Sequence, residues 1–342
     1  MAASIEDVAR LAGVSIATVS RALRGLPDVA TATRDRVLAA AEKLDYVASP
    51  FAARLASGRT ATVGVVVPFV DRWFFAVVID TVERALRLAG YDLLLYNLGD
   101  EQGRTTFFAS MPMRKRVDAL IVVSLVLSEE EFDSLASMDI PVALLGLARE
   151  GTISIRIDDA GGARLAVDHL LSLGHRRIGL IGGDTEDPMR FTPPLHRRTG
   201  YRTALREAGV VLDPELEVLG YFTADGGTEA TDRLLGAAQR PTAIFAESDE
   251  MAFGALRAIR RFGLKVPEDI AVIGFDDHQM AELMDLSTVR QRPADQAREV
   301  TDGLLAVLAD PSASPYDLVV DTELVIRGST DPASSVGRGA LP

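Results

Sequence analysis

The chain shows two patterns of apolar and polar positions, one in its first sixty residues and another beyond them. In the first segment, apolar residues recur every three or four positions in runs such as "IEDVARLA" and "IATVSRAL", a spacing typical of amphipathic helices. From Thr62, continuous apolar runs such as "TVGVVVP" and "VDALIVVS" alternate with longer helical patterns. Such strands between helices indicate a parallel sheet covered on both faces. The pattern therefore predicts a small all-α segment followed by an α/β body.

Two short helices across a glycine are predicted at the amino terminus. Ser4 followed by Asp7 has the form of a capping box that opens the first helix. Gly13 permits a left-handed turn, and Ser15 can cap a second helix that runs to about Leu23. A third helix follows. This order is typical of a helix-turn-helix unit.

In a helix-turn-helix unit, the start of the second helix meets base edges in the major groove. An arginine there can pair with guanine, and apolar side chains suit the thymine methyl group. The predicted base readers are Ile16, Ala17, Ser20 and Arg21. The predicted phosphate contacts, at the starts of the second and third helices, are Ser15, Thr18, Thr31 and Thr33. The alternative is a small three-helix bundle that binds no nucleic acid.

The stretch "SPFAARLASGRT", residues 49–60, predicts a further helix of only eight residues. Ser49 can cap it, Pro50 suits its first position and Gly58 its end. So short a helix is marginal in water, and Leu55 has little to pack against. A helix that forms when two copies meet on DNA, with Leu55 between base pairs in the minor groove, accounts for both features. A linker helix with Leu55 packed on the body is the alternative.

Charge is distributed unevenly between the two segments. The chain has 36 Lys and Arg, 49 Asp and Glu, and a net charge of −13. Residues 1–60 hold eight basic and six acidic residues, a net of +2, which leaves −15 for the remainder. Phosphate repels an acidic body, so contact with nucleic acid is expected in the front segment alone.

Other features of the composition limit the class of protein. The sequence has no cysteine, which excludes disulfides and thiolate metal sites. It has no signal-peptide pattern and no apolar run near the ~20 residues of a membrane-spanning helix. We therefore expect a cytoplasmic protein with no membrane contact.

The usual signatures of enzymes are also missing from the sequence. The four histidines lack the spacing of a metal site, and we find no G-x-S-x-G, no G-x-x-x-x-G-K-[ST] and no strand-linked G-x-G-x-x-G. We expect neither catalysis nor a cofactor nor a metal.

The pattern of the body predicts two doubly wound units in tandem. Two lobes of this type leave a cleft where strand carboxyl ends would gather a ligand. After the first strand, "PFVDRWFFA" offers aromatic faces that can stack on sugar rings or bases, namely Phe69, Trp73, Phe74 and Phe75. Core packing is the alternative for each of them. The predicted body helices include 74–89, 129–138, 159–173, 197–208 and 249–262.

Residues 5–25 and the stretch "LDYVASPFAARLASG" resemble the lactose-repressor (LacI/GalR) family of bacterial transcription regulators. In the body, "HLLSLGHRRIGLIGG", "PTAIFAESDEMAFGALRAI" and "GLKVPEDIAVIGFDD" resemble the same family, whose effector portion is similar to periplasmic sugar-binding proteins. The resemblance implies that Ile16, Ala17 and Arg21 read bases and that Leu55 enters the minor groove. Ser4, Tyr46 and Ala52 complete the expected DNA-binding set.

The resemblance also implies a division into domains. We expect a headpiece of residues 1–48, a hinge of 49–60, an effector-binding and dimerisation body of 61–328 and a disordered tail of 329–342. In the family the chain crosses three times between the two lobes. Here this would place residues of about 61–159 and 291–320 in one lobe, and residues of about 160–290 and 321–328 in the other. The tail has no leucine heptads, so we expect a homodimer.

Four further cleft residues follow from the resemblance. Arg197 in "HRRTGY" and Asp276 in "GFDD" fall on the family's ligand arginine and aspartate, and Phe222 and Ser248 fall near the cleft. A guanidinium and a carboxylate can share sugar hydroxyls. Alternatively, Asp276 caps a helix and Arg197 pairs with a surface carboxylate.

The expected function is that of a repressor of carbohydrate genes, which binds a pseudo-palindromic double-stranded operator as a homodimer under the control of a sugar-like effector. A nucleobase or nucleoside corepressor in the same cleft is one alternative. A solute-binding protein is the other, and the front segment argues against it.

Overall fold

The computed structural model describes residues 3–23, 28–46 and 59–331. Internal contacts divide the chain into two units. The first takes residues up to Ala61 together with Lys115–Asp118, and the second takes Thr62–Arg114 and the chain from Ala119 onward. Within the described ranges, every helix is too short or too polar to cross a bilayer.

Three helices form the first unit, which we call the headpiece: α1 (Ile5–Ala12), α2 (Ile16–Leu23) and α3 (Thr31–Lys43). The capping box of Ser4 and Asp7 is present, and Gly13 ends α1 with a φ of 65°. A core of alanine and valine, which includes Val8, Val19 and Val37, holds the helices together. The turn between α1 and α2 is thus short because glycine adopts the left-handed conformation without strain.

A parallel six-stranded sheet forms the first lobe of the body. Nearly every position along β1 (Thr62–Val67) and β3 (Ala119–Val123) is buried, as expected of strands covered on both sides. Its strands, in spatial order, are β11 (Asp317–Val320), β5 (Ile153–Ile157), β4 (Val142–Leu145), β3 (Ala119–Val123), β1 (Thr62–Val67) and β2 (Asp92–Asn97). Its helices are α4 (Trp73–Leu88), α5 (Glu101–Ser110), α6 (Glu129–Ala136) and α11 (Pro293–Ala309).

The second lobe has its own six-stranded sheet, parallel except for one edge strand that runs antiparallel. Its strands, in spatial order from that edge, are β12 (Glu323–Val325), β10 (Ser287–Arg290), β9 (Ala271–Asp276), β8 (Ala243–Ala246), β6 (Ile178–Gly182) and β7 (Glu217–Leu219). Its helices are α7 (Asp159–Ser172), α8 (Pro193–Glu207), α9 (Ala224–Gly236) and α10 (Asp249–Arg261). The chain passes between the sheets after β5, β10 and β11.

Two details differ from the expectations. Helix α8 begins at Pro193, four residues before the predicted start, because two prolines occupy its first turn, where their missing N–H groups cost nothing. Ser329 and Thr330, assigned to the disordered tail, are buried instead. The Ser329 hydroxyl donates to the Val272 carbonyl at 2.6 Å and accepts from the Ser287 N–H at 2.7 Å, so these small polar side chains are satisfied inside the fold. The remaining tail positions, 332–342, lie outside the described residues.

Candidate functional sites

The amino-terminal end of α2 presents its side chains to solvent. The Ser15 hydroxyl accepts a hydrogen bond from the Thr18 N–H at 3.2 Å and lies 2.9 Å from the Thr18 hydroxyl. Ser15, Ile16 and Ala17 are exposed, Ile16 to 47%, whereas Val19 on the opposite face is fully buried. One face of α2 therefore holds the headpiece core while the other is available to a partner.

Arg21 lies one turn further along the exposed face. Its Nη1 is 3.2 Å from an Asp28 carboxylate oxygen, and both side chains are about half exposed. An ion pair in such a position is weak, so it restrains the guanidinium without occupying it permanently. Arg21 can therefore exchange Asp28 for a base edge.

The other predicted DNA contacts occupy different environments. Thr31 is exposed at the start of α3, and Thr33 is half-buried there. Ser4 is used in the cap of α1, since its N–H donates to the Asp7 carboxylate at 3.0 Å. Tyr46 packs against the headpiece core, and Ser20 is half-buried. Ala52 and Leu55 lie outside the described residues.

A cleft in the body collects the carboxyl ends of strands from both lobes. It has an empty volume of about 570 Å³, counting its open mouth. Residues that directly follow a strand line it, such as Ser124 after β3, Gly146 after β4 and Gln291 after β10. In doubly wound sheets ligands bind at this edge. Six of the eight residues predicted for this site line the cleft: Phe74, Phe75, Arg197, Phe222, Ser248 and Asp276.

Arg197 is buried at the centre of the second-lobe wall, with 4% of its surface exposed. Its Nε donates to an Asp159 oxygen at 2.8 Å, and its Nη1 donates to the backbone carbonyl of Glu247. The face of the guanidinium lies 3.7 Å from the centre of the Phe275 ring. These contacts fix the orientation of Arg197, and its partner Asp159 is itself a cleft residue rather than a surface carboxylate.

Asp276 stands beside Arg197, with 3.8 Å between Nη1 and Oδ1. Gln291 donates to the same oxygen, and Asp276 has a φ of 129°, a conformation that a non-glycine residue adopts only under strain. Burial raises the pKa of the Asp276 carboxyl to about 7. The carboxyl is thus held in a fixed position beside the cleft, with a pKa raised into the neutral range, as is common at functional sites.

Two carboxyl groups support this wall from behind. Burial raises the pKa of Glu247 to about 8, and its carboxylate accepts the Gly183 N–H at 2.9 Å. Burial also raises the pKa of Asp249 well above its ordinary value, although Thr288 and the His278 N–H both donate to it. The ligand wall is therefore built on carboxyl groups that burial favours in the neutral form.

The aromatic residues divide into two groups. Phe74, Phe75 and Phe222 line the cleft, although Phe75 is almost entirely buried in the core of the first lobe. Phe69 and Trp73 do not line it. The Phe69 ring lies under a guanidinium instead, and the Trp73 ring packs against the His278 ring with 4.8 Å between centroids. Ser248 lines the cleft, but its hydroxyl caps α10 by accepting the Met251 N–H at 3.3 Å.

The structure adds cleft residues that the sequence interpretation did not assign, chiefly Arg72, Asp159, Phe191, Glu250, Gln291 and Gln296. Most of them lie one to four residues after a strand or at the first turn of a helix. The only sequence signal for these residues was their position within a few residues of a predicted strand end, and many other residues share that position. Among the described side chains, no group of three or more potential ligands could hold a metal ion.

Comparison with known proteins gives matches over nearly the whole chain. Residues 4–49 match the model of bacterial regulatory proteins of the lacI family, and residues 167–330 match a periplasmic binding protein-like domain. The HTH-type transcriptional repressor CytR of Escherichia coli K12 is 34% identical over 336 residues, which cover 96% of each chain.

Solved structures are similar over the same length. The lac repressor dimer bound to operator and the anti-inducer ONPF matches with a TM-score of 0.84 and 26% identity, over 96% of this chain and 99% of that one. A complex of the transcriptional regulator CelR with cellobiose matches with a TM-score of 0.70 and 32% identity, again over 96% and 99%.

Proposed function

The chain belongs to the LacI family of bacterial regulatory proteins, and from that membership we propose that a sugar-like effector in the cleft controls the binding of a homodimer to its operator. As a member of the family it is a transcriptional regulator that binds DNA through the helix-turn-helix of the headpiece. The proposal concerns the effector, the oligomeric state and the direction of control.

The arrangement of Arg197, Asp159 and Asp276 is the observation that carries the proposal. Arg197 is buried and oriented by Asp159, and Asp276 is presented 3.8 Å away at the end of β9. A guanidinium and a carboxyl at this separation offer donors and an acceptor to neighbouring hydroxyl groups. Phe74 and Phe222 add apolar faces for a sugar ring.

Similar proteins support a sugar as the effector and a dimer as the oligomeric state. The CelR structure contains cellobiose, and the lac repressor structure is a dimer on its operator. Two copies of the headpiece can read the two halves of a pseudo-palindromic site. The CytR relative is a repressor, which favours repression for this chain.

In this proposal the effector shifts the equilibrium between two arrangements of the lobes, and only one arrangement fits the operator. Operator and effector then change each other's affinity by the same factor. Leu55 is proposed to enter the minor groove and Ala52 to contact DNA; both lie outside the described residues.

Fluorescence anisotropy with labelled DNA from upstream of the gene tests the proposal. We expect tight, salt-dependent binding that survives competitor DNA and is altered by a neutral or acidic sugar. Purine bases and nucleosides in the same titration test the corepressor alternative. Binding that no ligand of either class alters would contradict effector control, and lack of specific binding under all conditions would contradict the operator assignment.

A further inference from the structure

A second arginine of the cleft, Arg72, has guanidinium N–H groups with no hydrogen-bond or close ion-pair partner among the described residues. It precedes α4 and lines the cleft opposite the Arg197 wall. Its guanidinium carbon lies 3.8 Å from the centre of the Phe69 ring, 5.6 Å from that of Phe222 and 5.9 Å from that of Phe191. Aromatic rings thus surround the guanidinium and fix its position.

The contacts of Arg72 differ from those of Arg197. Arg197 uses its N–H groups on Asp159 and on the Glu247 carbonyl. Within the described part of the body, no group accepts a hydrogen bond from the Arg72 guanidinium, and no carboxylate oxygen comes within 4.0 Å of its nitrogens. A ring covers the face of a guanidinium and leaves its N–H edge for another partner, which favours a planar or tetrahedral anion.

The acidic groups near Arg72 do not serve as that partner. Asp71, Asp187 and Glu250 act on Arg72 only by attraction at longer range, and Glu250 accepts the N–H of Trp73. Burial is the main influence on Arg72, and it lowers the pKa of the guanidinium. A cation that has lost part of its water gains from an anion that restores the missing hydrogen bonds.

Resting on the proposed effector cleft, we propose that the effector carries an anionic oxygen group, a carboxylate or a phosphate, and that Arg72 binds it. The hydroxylated part of the same molecule then faces Arg197 and Asp276 on the opposite wall. Sugar acids and sugar phosphates share this chemistry, with an anionic end and several hydroxyl groups.

Isothermal titration of the full-length protein with matched probes tests the inference. The probes are D-glucose, D-glucuronate and D-glucose 6-phosphate, then D-ribose and D-ribose 5-phosphate, and then cellobiose and cellobionate. We expect at least one anionic probe to bind about 10- to 100-fold more tightly than its neutral parent, the range expected for hydrogen bonds to a charged group. Comparison of the carboxylate and phosphate probes shows which of the two anionic groups the cleft prefers.

Two variants test whether Arg72 is responsible for the preference for anionic probes. Arg72→Gln should abolish the preference for the anion, and it should weaken binding of the neutral parent far less than binding of the anionic probe. Arg84→Gln removes an exposed charge from the same helix and should leave the preference intact. Thermal unfolding and operator affinity of Arg72→Gln should match those of the wild type, which separates a binding effect from a folding defect.

The inference is wrong if neutral probes bind as well as anionic ones, if no anionic probe binds, or if Arg72→Gln keeps the preference. A neutral sugar that releases the operator at the same concentration as its anionic counterpart, or at a lower one, would contradict the inference while supporting the proposed function. Lack of operator binding by the wild-type protein would instead contradict the proposed function.

Discussion

The headpiece and the cleft present their functional side chains in opposite ways. In the headpiece, Ile16, Ala17 and Arg21 lie on the exposed face of α2, and Arg21 has only a half-exposed carboxylate beside it. In the cleft, Arg197 and Asp276 are buried, and each has its own polar partners, Asp159 for Arg197 and Gln291 for Asp276. The headpiece is expected to keep its fold when a reading residue is lost, whereas Arg197 and Asp276 have buried contacts within the fold in addition to the ligand contacts proposed for them.

Electrostatics separates the two regions in the same way. Solvent and salt screen the charges of the headpiece, which suits the recognition of a long polyanion. Burial raises the pKa of Asp276, Asp249 and Glu247 in the body, so these carboxyls carry a cost whenever they ionise. We therefore expect mutations and pH to affect stability mainly through the cleft.

The largest effect is expected for Arg197→Met. The substitution removes the partner of Asp159 and the donor to the Glu247 carbonyl, and it leaves the buried Asp276 carboxyl without the cation 3.8 Å away. We expect a loss of about 3–5 kcal/mol in the free energy of unfolding. Urea unfolding of the wild type and of the Arg197→Met variant measures this loss.

Arg206→Met is the matched control, because Arg206 is exposed on the same helix. It should change the free energy of unfolding by less than about 0.5 kcal/mol. Equal effects of the two substitutions would contradict the assignment of Arg197 as a residue of the fold and the site together.

A smaller effect is expected for Asp276→Asn, which should change how the free energy of unfolding depends on pH. Since the pKa of Asp276 is raised to about 7 from 3.8, the folded protein holds this proton more tightly than the unfolded chain. The stability that this carboxyl contributes is present below pH ~4 and is lost as pH rises to about 7. The variant should therefore gain about 1–3 kcal/mol relative to the wild type between pH 5 and pH 8.

Urea unfolding at several pH values gives this difference directly. Glu247 titrates in the same direction and remains in both proteins. The Asp276 charge contributes to the raised pKa of Asp249, so the variant also lowers the pKa of Asp249, and the difference between the two proteins reports on this pair of carboxyls together. Parallel pH profiles for wild type and variant would show that Asp276 is ionised in the fold and would contradict a pKa raised into the neutral range.

Arg21→Met should affect DNA binding and leave stability alone. Loss of one bidentate base contact costs about 1–3 kcal/mol, or about 5- to 150-fold in operator affinity. The exposed pair with Asp28 contributes less than about 1 kcal/mol, so the free energy of unfolding should stay nearly constant. Affinity for unrelated DNA should fall little, and an equal loss on both DNAs would assign Arg21 to phosphate.

Local sequence signals predicted the headpiece well. The capping box, the turn at Gly13 and the apolar spacing act within one or two helical turns, so neighbouring residues determine the fold there. The strands and helices of the body also followed their periodicity, apart from the early start of α8 at its two prolines.

The cleft could be predicted only in part, because its residues are far apart in the chain. Arg197 and Asp276 were assigned from resemblance to a family, and no periodicity distinguishes them from other charged residues. Asp159 and Arg72 were missed, since their roles depend on which strand ends the two sheets bring together. Phe69 and Trp73 share a run with Phe74, and only the packing of the rings shows which of them line the cleft.

The smallest effect is expected for Asp28→Asn, which tests how free the headpiece is to exchange partners. The substitution removes the carboxylate 3.2 Å from Arg21 and one negative charge close to the reading helix. Because the pair is half exposed, its release should raise operator affinity by less than about 1 kcal/mol, roughly two- to fivefold. Anisotropy titrations at several salt concentrations should give parallel plots for wild type and variant, since a base contact adds no released counterion. A steeper salt dependence would mean that the freed Arg21 contacts phosphate, and an unchanged affinity would mean that Asp28 does not restrain it.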